Sequence, residues 1–212
     1  MTMKPVIAID GPAAAGKGTL ARRLANTLGL PYLDTGLLYR AVGRRVLDTG
    51  GDPRDPAAAE RAARSLQPAD LQRVDLRGPQ ADAGAASVAS IPAVRTALLA
   101  FQHDFAVRHG AVLDGRDIGT VIFPHATAKL FVTASLAERA RRRWLELQAK
   151  GMEADIATVE QDLCQRDAKD AARAAAPLRA ADDAYRLDTS AMDAEAAFQA
   201  ALVFIRTRID IA

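Results

Sequence analysis

Val6-Ile7-Ala8-Ile9-Asp10-Gly11-Pro12-Ala13-Ala14-Ala15-Gly16-Lys17-Gly18-Thr19 is the stretch whose reading decides the fold. The four residues before Asp10 are apolar and partly β-branched, with no alternation, which is the pattern of a strand covered on both faces in a parallel sheet. From Lys17 to Leu28, leucines at 20, 24 and 28 keep helical spacing, and Gly29 stands where a helix stops. Strand, glycine-rich loop, lysine and helix in that order meet the requirements of a phosphate-binding loop. The glycines let backbone N–H groups turn inward around phosphate oxygens, the helix N-terminus adds its positive end, and Lys17 adds a mobile charge. A glycine-rich turn that caps a helix and binds nothing is the plain alternative. Gly18 occupies the place where many such loops carry the Ser or Thr that binds magnesium, and Thr19 comes one residue later. The metal is therefore expected to be held through phosphates and water, with Thr19 on phosphate.

Outward from the loop, short apolar runs at Ala111 to Leu113, Lys129 to Val132 and Tyr185 to Leu187 recur between stretches of helical periodicity. This alternation predicts an α/β fold: a P-loop three-layer α/β/α core with a parallel five-stranded sheet. Ser135-Leu136-Ala137-Glu138 is a capping-box pattern that opens a helix running to about Ala149 and closed by Gly151. Further helices are predicted over Asp155 to Arg166 and over Asp193 to Arg208, the last with Asp193 as its cap and a charge order suited to the helix dipole. Residues 48–90 carry Gly50, Gly51, Pro53, Pro56, Pro68, Gly78, Pro79 and Gly84. So many turn formers do not fit a core sheet, and the stretch reads as an insertion to one side. The alanine runs at 57–59 and 171–176 read as helix.

Composition narrows the function classes. Basic residues exceed acidic ones by two, too few to imply a nucleic-acid binder. The single cysteine, Cys164, cannot close an internal disulfide, which suits a reducing cytoplasm, and it reads as a helix packing residue. The N-terminus has no secretory apolar stretch, and no uncharged run is long enough to span a bilayer. A cytoplasmic monomer or small oligomer, with no nucleic acid and no membrane among its partners, is expected.

Charged residues cluster at strand ends, where ligands of parallel sheets bind. In Asp34-Thr35-Gly36-Leu37-Leu38-Tyr39-Arg40, Thr35 can cap a helix, with Tyr39 and Arg40 one turn on; Arg40 is a candidate for an acceptor phosphate, a surface arginine the alternative. Asp114-Gly115-Arg116-Asp117-Ile118-Gly119-Thr120 follows another apolar strand. Asp114 suits a magnesium-organising acid and Arg116 a bidentate phosphate clamp, against the simpler possibility of one Arg–Asp pair closing a loop. Arg139, Arg141, Arg142 and Arg143 form either a solvated face or a set of contacts over a triphosphate. Arg166, Asp170 and Arg173 would share one helical face, as a salt-bridge ladder or as a mobile arginine-bearing lid. His103, His109 and His125 belong to no catalytic arrangement.

Taken together, Gly11-x4-Gly16-Lys17-Gly18-Thr19, Asp34-Thr35-Gly36-x-x-Tyr39-Arg40, Pro92-x-x-Arg95, Asp114-Gly115-Arg116-Asp117-Ile118-Gly119-Thr120-Val121-x-Phe123-Pro124, Arg139-Ala140-x-Arg142-Arg143 and Arg166-Asp167-x-x-Asp170-x-x-Arg173 resemble the bacterial cytidylate kinase family. The resemblance implies a core of residues 1–41, 91–150 and 174–212, a monophosphate-binding insertion at 42–90 and a short lid at 151–173. It implies ATP and magnesium as cofactors and transfer of phosphate to CMP or dCMP. Gly11, Pro12, Ala13, Ala14, Ala15, Gly16, Lys17, Gly18 and Thr19, with Arg139, Arg142 and Arg143, would bind ATP. Arg40, Arg116 and Arg173 would hold the acceptor phosphate, Arg95 and Asp117 would read cytosine, Arg166 and Asp170 would contact the sugar, and Thr35 and Tyr39 would line the same site. Lys17, Arg116, Arg173 and Asp114 would carry catalysis. The sequence departs from the family at Ala86, where a serine is usual, with Ser87 beside it, and at His103, where an arginine is common.

Overall fold

The computed structural model describes residues 4–174 and 176–209. Strands β1 (Val6–Asp10), β2 (Tyr32–Asp34), β3 (Ala111–Gly115), β4 (Ala128–Thr133) and β5 (Tyr185–Asp188) form one sheet in the order β2-β3-β1-β4-β5. The β1–β3, β1–β4 and β4–β5 ladders are parallel, with Ile7 opposite Val112 and Ala128, and Val132 opposite Leu187. The apolar β1 run is buried on both faces, as its lack of alternation predicts. On one face Ile7, Ile9, Val112, Leu130, Val132 and Leu187 pack with Leu20 and Leu24 of helix α1 (Lys17–Leu28) and Phe198, Leu202 and Ile205 of helix α8 (Ala194–Arg206).

By its internal contacts the chain divides into two compact units, residues 1–33 with 109–212, and residues 34–108. The first holds the sheet, α1, α8 and two further helices, α6 (Leu136–Ala149) and α7 (Ile156–Ala171). Two caps fall where the sequence places them, Ser135 accepting from Glu138 N at 3.3 Å and Asp193 from Ala196 N at 2.7 Å; Asp155, predicted as the first residue of α7, caps it instead and accepts from Thr158 N at 2.9 Å. Gly29 and Gly151 take left-handed conformations just past their helices. Trp144 on α6 donates its indole N–H to Ala154 O at 2.9 Å, tying α6 to the segment that leads into α7.

The second unit consists of α2 (Thr35–Asp48), α3 (Pro56–Arg64), a 3₁₀ turn, α4 (Pro79–Ala89) and α5 (Pro92–Val107). Helices α2 and α4 meet backbone to backbone. A Cβ built on Gly43 would lie 2.8 Å from the carbonyl carbon of Gly84, whereas one on Gly84 would come no nearer than 3.5 Å to Gly43. Arg45 pairs with Asp70 at 2.8 Å, and Arg73 bridges Asp48 and Asp75 at 2.6 and 2.7 Å, holding the Pro-rich turns to α2.

Five sequence expectations need correction. Helix α7 does not stop at Arg166 but continues to Ala171, because no Gly or Pro interrupts it after Asp155 caps it. Arg173 lies beyond that end, so the Arg166, Asp170, Arg173 stripe is only partly helical. Thr35 is the first residue of α2, and Asp34 holds the cap position. Cys164 is exposed, since Val159 and Leu163 occupy the packing face of α7. Of the alanine runs, 57–59 is helical while 171–176 leaves the helix after Ala171; Ala175 lies outside the described residues. Among the described residues no single helix is long and apolar enough to cross a membrane.

The asymmetry at the α2–α4 crossing predicts that Gly43→Ala destabilises the protein by about 1–3 kcal/mol through overpacking. Gly84→Ala should be neutral or stabilising by up to about 1 kcal/mol through helix propensity. Urea unfolding of the two variants checks this; equal effects would contradict the crossing geometry.

Candidate active site

The loop between β1 and α1 is seated by a contact only glycine permits. Gly11 has φ +148°, and a Cβ there would fall 1.9 Å from the carbonyl oxygen of Val132 on β4. Ala14 and Gly16 are left-handed, with φ of 59° and 86°, an alternation of hand that lets successive N–H groups face one side as an anion-binding concavity. Lys17 then opens α1, its side chain buried and its Nζ donating to Pro12 O at 2.7 Å. Burial pushes the Lys17 ammonium down to about 7, Arg116 adding to the effect while Asp114 and Asp10 oppose it.

Asp10, the last residue of β1, is marked in the sequence only by its place after the apolar run. Its buried carboxylate accepts from Ile118 N at 2.8 Å and Gly119 N at 2.7 Å. These bonds fix a π-turn, Ile118–Ile122, in which Val121 and Ile122 donate to Asp117 O. Burial raises the Asp10 carboxyl to about 6, against the pull of those two N–H groups. The partners lie more than a hundred residues along the chain from Asp10, so only its position beside the loop was available as a signal. Tyr32 and Thr189 were likewise missed. Tyr32 donates to Asp114 Oδ1 at 3.3 Å. Thr189 sits under the loop, 3.4 Å from Ala15 O.

Asp114 is buried at the tip of β3, and its Oδ2 would lie 3.4 Å from a Cβ on Gly18. Arg116 gives Nε to Asp170 Oδ2 at 2.8 Å, and Arg173 pairs with the other Asp170 oxygen. Arg166 is close enough to depress the Lys17 ammonium. Arg139 is buried, donating to Ala134 O at 3.0 Å and Ala13 O at 3.3 Å and pairing with Asp167 at 2.7 Å, so it joins the loop to α7. Arg142 donates to Thr189 Oγ1 at 2.9 Å and Thr189 O at 2.7 Å, with Nη1 3.8 Å from where a Gly16 Cβ would be. Arg143 turns to Glu146 at 2.8 Å. Arg141 and Arg142 together hold the Glu138 carboxyl down to about 2.

In the second unit, Arg95 Nη1 donates to Tyr39 Oη at 3.3 Å, and Arg40 pairs with Asp82 at 2.9 Å. Thr35 is buried at the start of α2. Ser87, beside Ala86, donates to Ala83 O at 3.1 Å within its own helix.

The first unit can thus bind a polyphosphate at the loop, next to a buried carboxylate and a group of arginines. Among the described residues no three acidic, His or Cys side chains gather as a protein-only metal cage. One carboxylate beside a phosphate site is the donor set magnesium uses, completed by phosphate and water.

The sequence profile described as "Cytidylate kinase" matches residues 7–207. A "Cytidylate kinase" of Acidiphilium cryptum is 64% identical over 201 residues, covering 95% of each chain. One of Granulibacter bethesdensis is 59% identical, covering 97% of this chain and 99% of the other. Among solved structures, a gluconokinase from Sinorhizobium meliloti superposes with a TM-score of 0.51 at 14% identity, covering 98% of this chain and 94% of that one, a likeness of fold alone.

The depressed Lys17 ammonium fixes the sign of two effects. Between about 7 and its ordinary 10.5, the folded state binds fewer protons at Lys17 than the unfolded chain, so this group makes stability rise with pH across that window. A bound triphosphate restores the charge. At pH 8, nucleoside triphosphate binding should therefore take up close to one proton, and titration calorimetry in buffers of different ionisation enthalpy measures it. Lys17→Met should remove the uptake; equal uptake in both proteins would exclude Lys17 as its source.

Proposed function

We propose the reaction of this chain from the fact that it belongs to the cytidylate kinase family. It phosphorylates CMP and dCMP to CDP and dCDP, with ATP as donor. The observation that carries the reading is the buried lysine curled onto a left-handed phosphate loop beside Asp114 and within the field of Arg116.

Backbone N–H groups of 13–19 cradle the donor phosphates in the loop 11–19, and Lys17 leaves the Pro12 carbonyl to reach the bridging region between β- and γ-phosphates. Arg139, Arg142 and Arg143 supply charge on the donor side. Thr35, Tyr39, Arg40, Arg95, Arg116, Asp117, Arg166, Asp170 and Arg173 are the acceptor-binding residues: Arg40, Arg116 and Arg173 for its phosphate, Arg95 and Asp117 for its base, Arg166 and Asp170 for its sugar. An acceptor phosphate oxygen forms the new bond to the γ-phosphorus as the bond to the β,γ-bridging oxygen breaks, and the electron pair leaves with ADP. The acceptor is already ionised, so no general base is needed and no covalent enzyme intermediate forms. Asp114 would hold magnesium directly or through water, with Thr19 turned to phosphate; when bound, the ion neutralises charge on the donor phosphates. Residues 42–90 serve as the monophosphate-binding part and 151–173 as the lid. The protein works on free nucleotides in the cytoplasm as a monomer, with no nucleic acid and no membrane as partner.

Turnover with ATP should be greatest for CMP and dCMP in a side-by-side panel that includes UMP, AMP and shikimate. No ADP formation with any of them would overturn the reading. Lys17→Ala should lower kcat by about 100-fold or more while leaving the melting temperature unchanged or raised, because a buried ammonium is removed. Asp170→Ala should shift the ratio of kcat/KM between CMP and dCMP, and an unchanged ratio would take Asp170 away from the sugar.

A further inference from the structure

The carboxylate of Asp170 is a buried anion held between two arginines. Its side chain is 4% exposed, and it pairs with Arg116 Nε at 2.8 Å and with Arg173. The two arginines are themselves only 19% and 22% exposed, so their hydrogen-bonding edges face protein, where the choice of anionic partner matters more than in water. Arg116 is anchored behind by its own bond to Gly115 O at 3.3 Å, at the tip of β3. Asp170 comes from the far end of α7, and its backbone carbonyl accepts from Leu178 N at 2.9 Å. A carboxylate thus joins a fixed arginine on the sheet to an arginine just beyond α7.

We propose that Asp170 is an internal stand-in for the acceptor's phosphate: its carboxylate occupies the Arg116 and Arg173 edges that a phosphate must take, and acceptor binding is an exchange of one anion for the other. This rests on the assignment of those two arginines to the acceptor phosphate. The chemistry is symmetrical. A carboxylate and a phosphate both present two oxygens to a guanidinium, and two anions cannot share the same N–H edges. A phosphate that takes Arg116 Nε and Arg173 Nη2 therefore displaces Asp170, and displacement frees the carboxylate to accept from sugar hydroxyls. One side chain then serves both ends of the acceptor in sequence: a ligand with phosphate but no sugar bears the displacement and gains nothing in return, while a nucleotide regains it through the sugar. Discrimination against inorganic phosphate follows without a further residue. If the pair is closed about nine-tenths of the time, it weakens apparent phosphate affinity about tenfold.

The test is the inhibition constant of inorganic phosphate against CMP at saturating ATP. Wild type is compared with Asp170→Asn, and with Asp162→Asn, which removes the same charge from an exposed position on α7. The proposal expects Asp170→Asn to bind inorganic phosphate about tenfold tighter while KM for CMP rises, and Asp162→Asn to leave the phosphate constant unchanged. Opposite movements of the two constants are not produced by a loss of structure, which would weaken both. Should Asp170→Asn melt early, Asp170→Ala gives the same comparison. Phosphate inhibition that is unchanged or weaker in both Asp170 variants overturns the stand-in role, as does equal tightening in Asp162→Asn. Failure of the kinase reading itself would show separately, as wild type without CMP-dependent turnover.

Discussion

A backbone carbonyl on the central sheet leaves room for one kind of residue at the head of the phosphate loop. Val132 O lies where a side chain at position 11 would begin, so the chain passes over the end of β4 only as glycine. That approach sets the loop directly on the sheet, and Lys17 becomes both the start of α1 and a buried cation. Burial of an ammonium is costly without partners, and the structure gathers them from separate parts of the chain. Pro12 O takes the hydrogen bond, while Asp10 and Asp114 contribute negative potential from the ends of β1 and β3. The parallel sheet is what brings those two strand ends side by side.

The same constraint explains why the neighbouring arginines are so fully engaged. A region this rich in cations repels itself unless carboxylates are threaded through it. Asp170 lies between two arginines, Asp167 meets Arg139, and Glu138 meets Arg141 and Arg142. The Arg141–Glu138 pair is exposed and contributes little; those of Asp170 and of Arg139 with Asp167 are largely shielded from water. They keep cations in place near a site that handles several negative charges at once.

The elements readable from sequence were those whose signal is local. The unalternating β1 run, the leucine spacing of α1, and the caps at Ser135 and Asp193 each depend on residues within a turn or two. What could not be read depends on distant partners. Asp10 gains its role from N–H groups on a turn that carries no local signal, and Tyr32 and Thr189 acquire theirs from Asp114 and the loop backbone. Helix α7 was read too short because Arg166-Asp167-Ala168-Lys169-Asp170 is polar and lacks an apolar stripe; its Asp167 and Asp170 are instead held by arginines from elsewhere in the first unit. Cys164 was placed inward on composition alone, although Leu163 beside it already fills the apolar face.

The chain contains one tryptophan, and it stands at the join between α6 and the approach to α7. An indole whose N–H is held by a backbone carbonyl shifts its emission when that bond opens to solvent. All tryptophan fluorescence of the protein therefore originates beside the segment that carries Asp167, Asp170 and Arg173. The molecule brings its own optical gauge of the state of that segment, with no label and no second tryptophan to subtract.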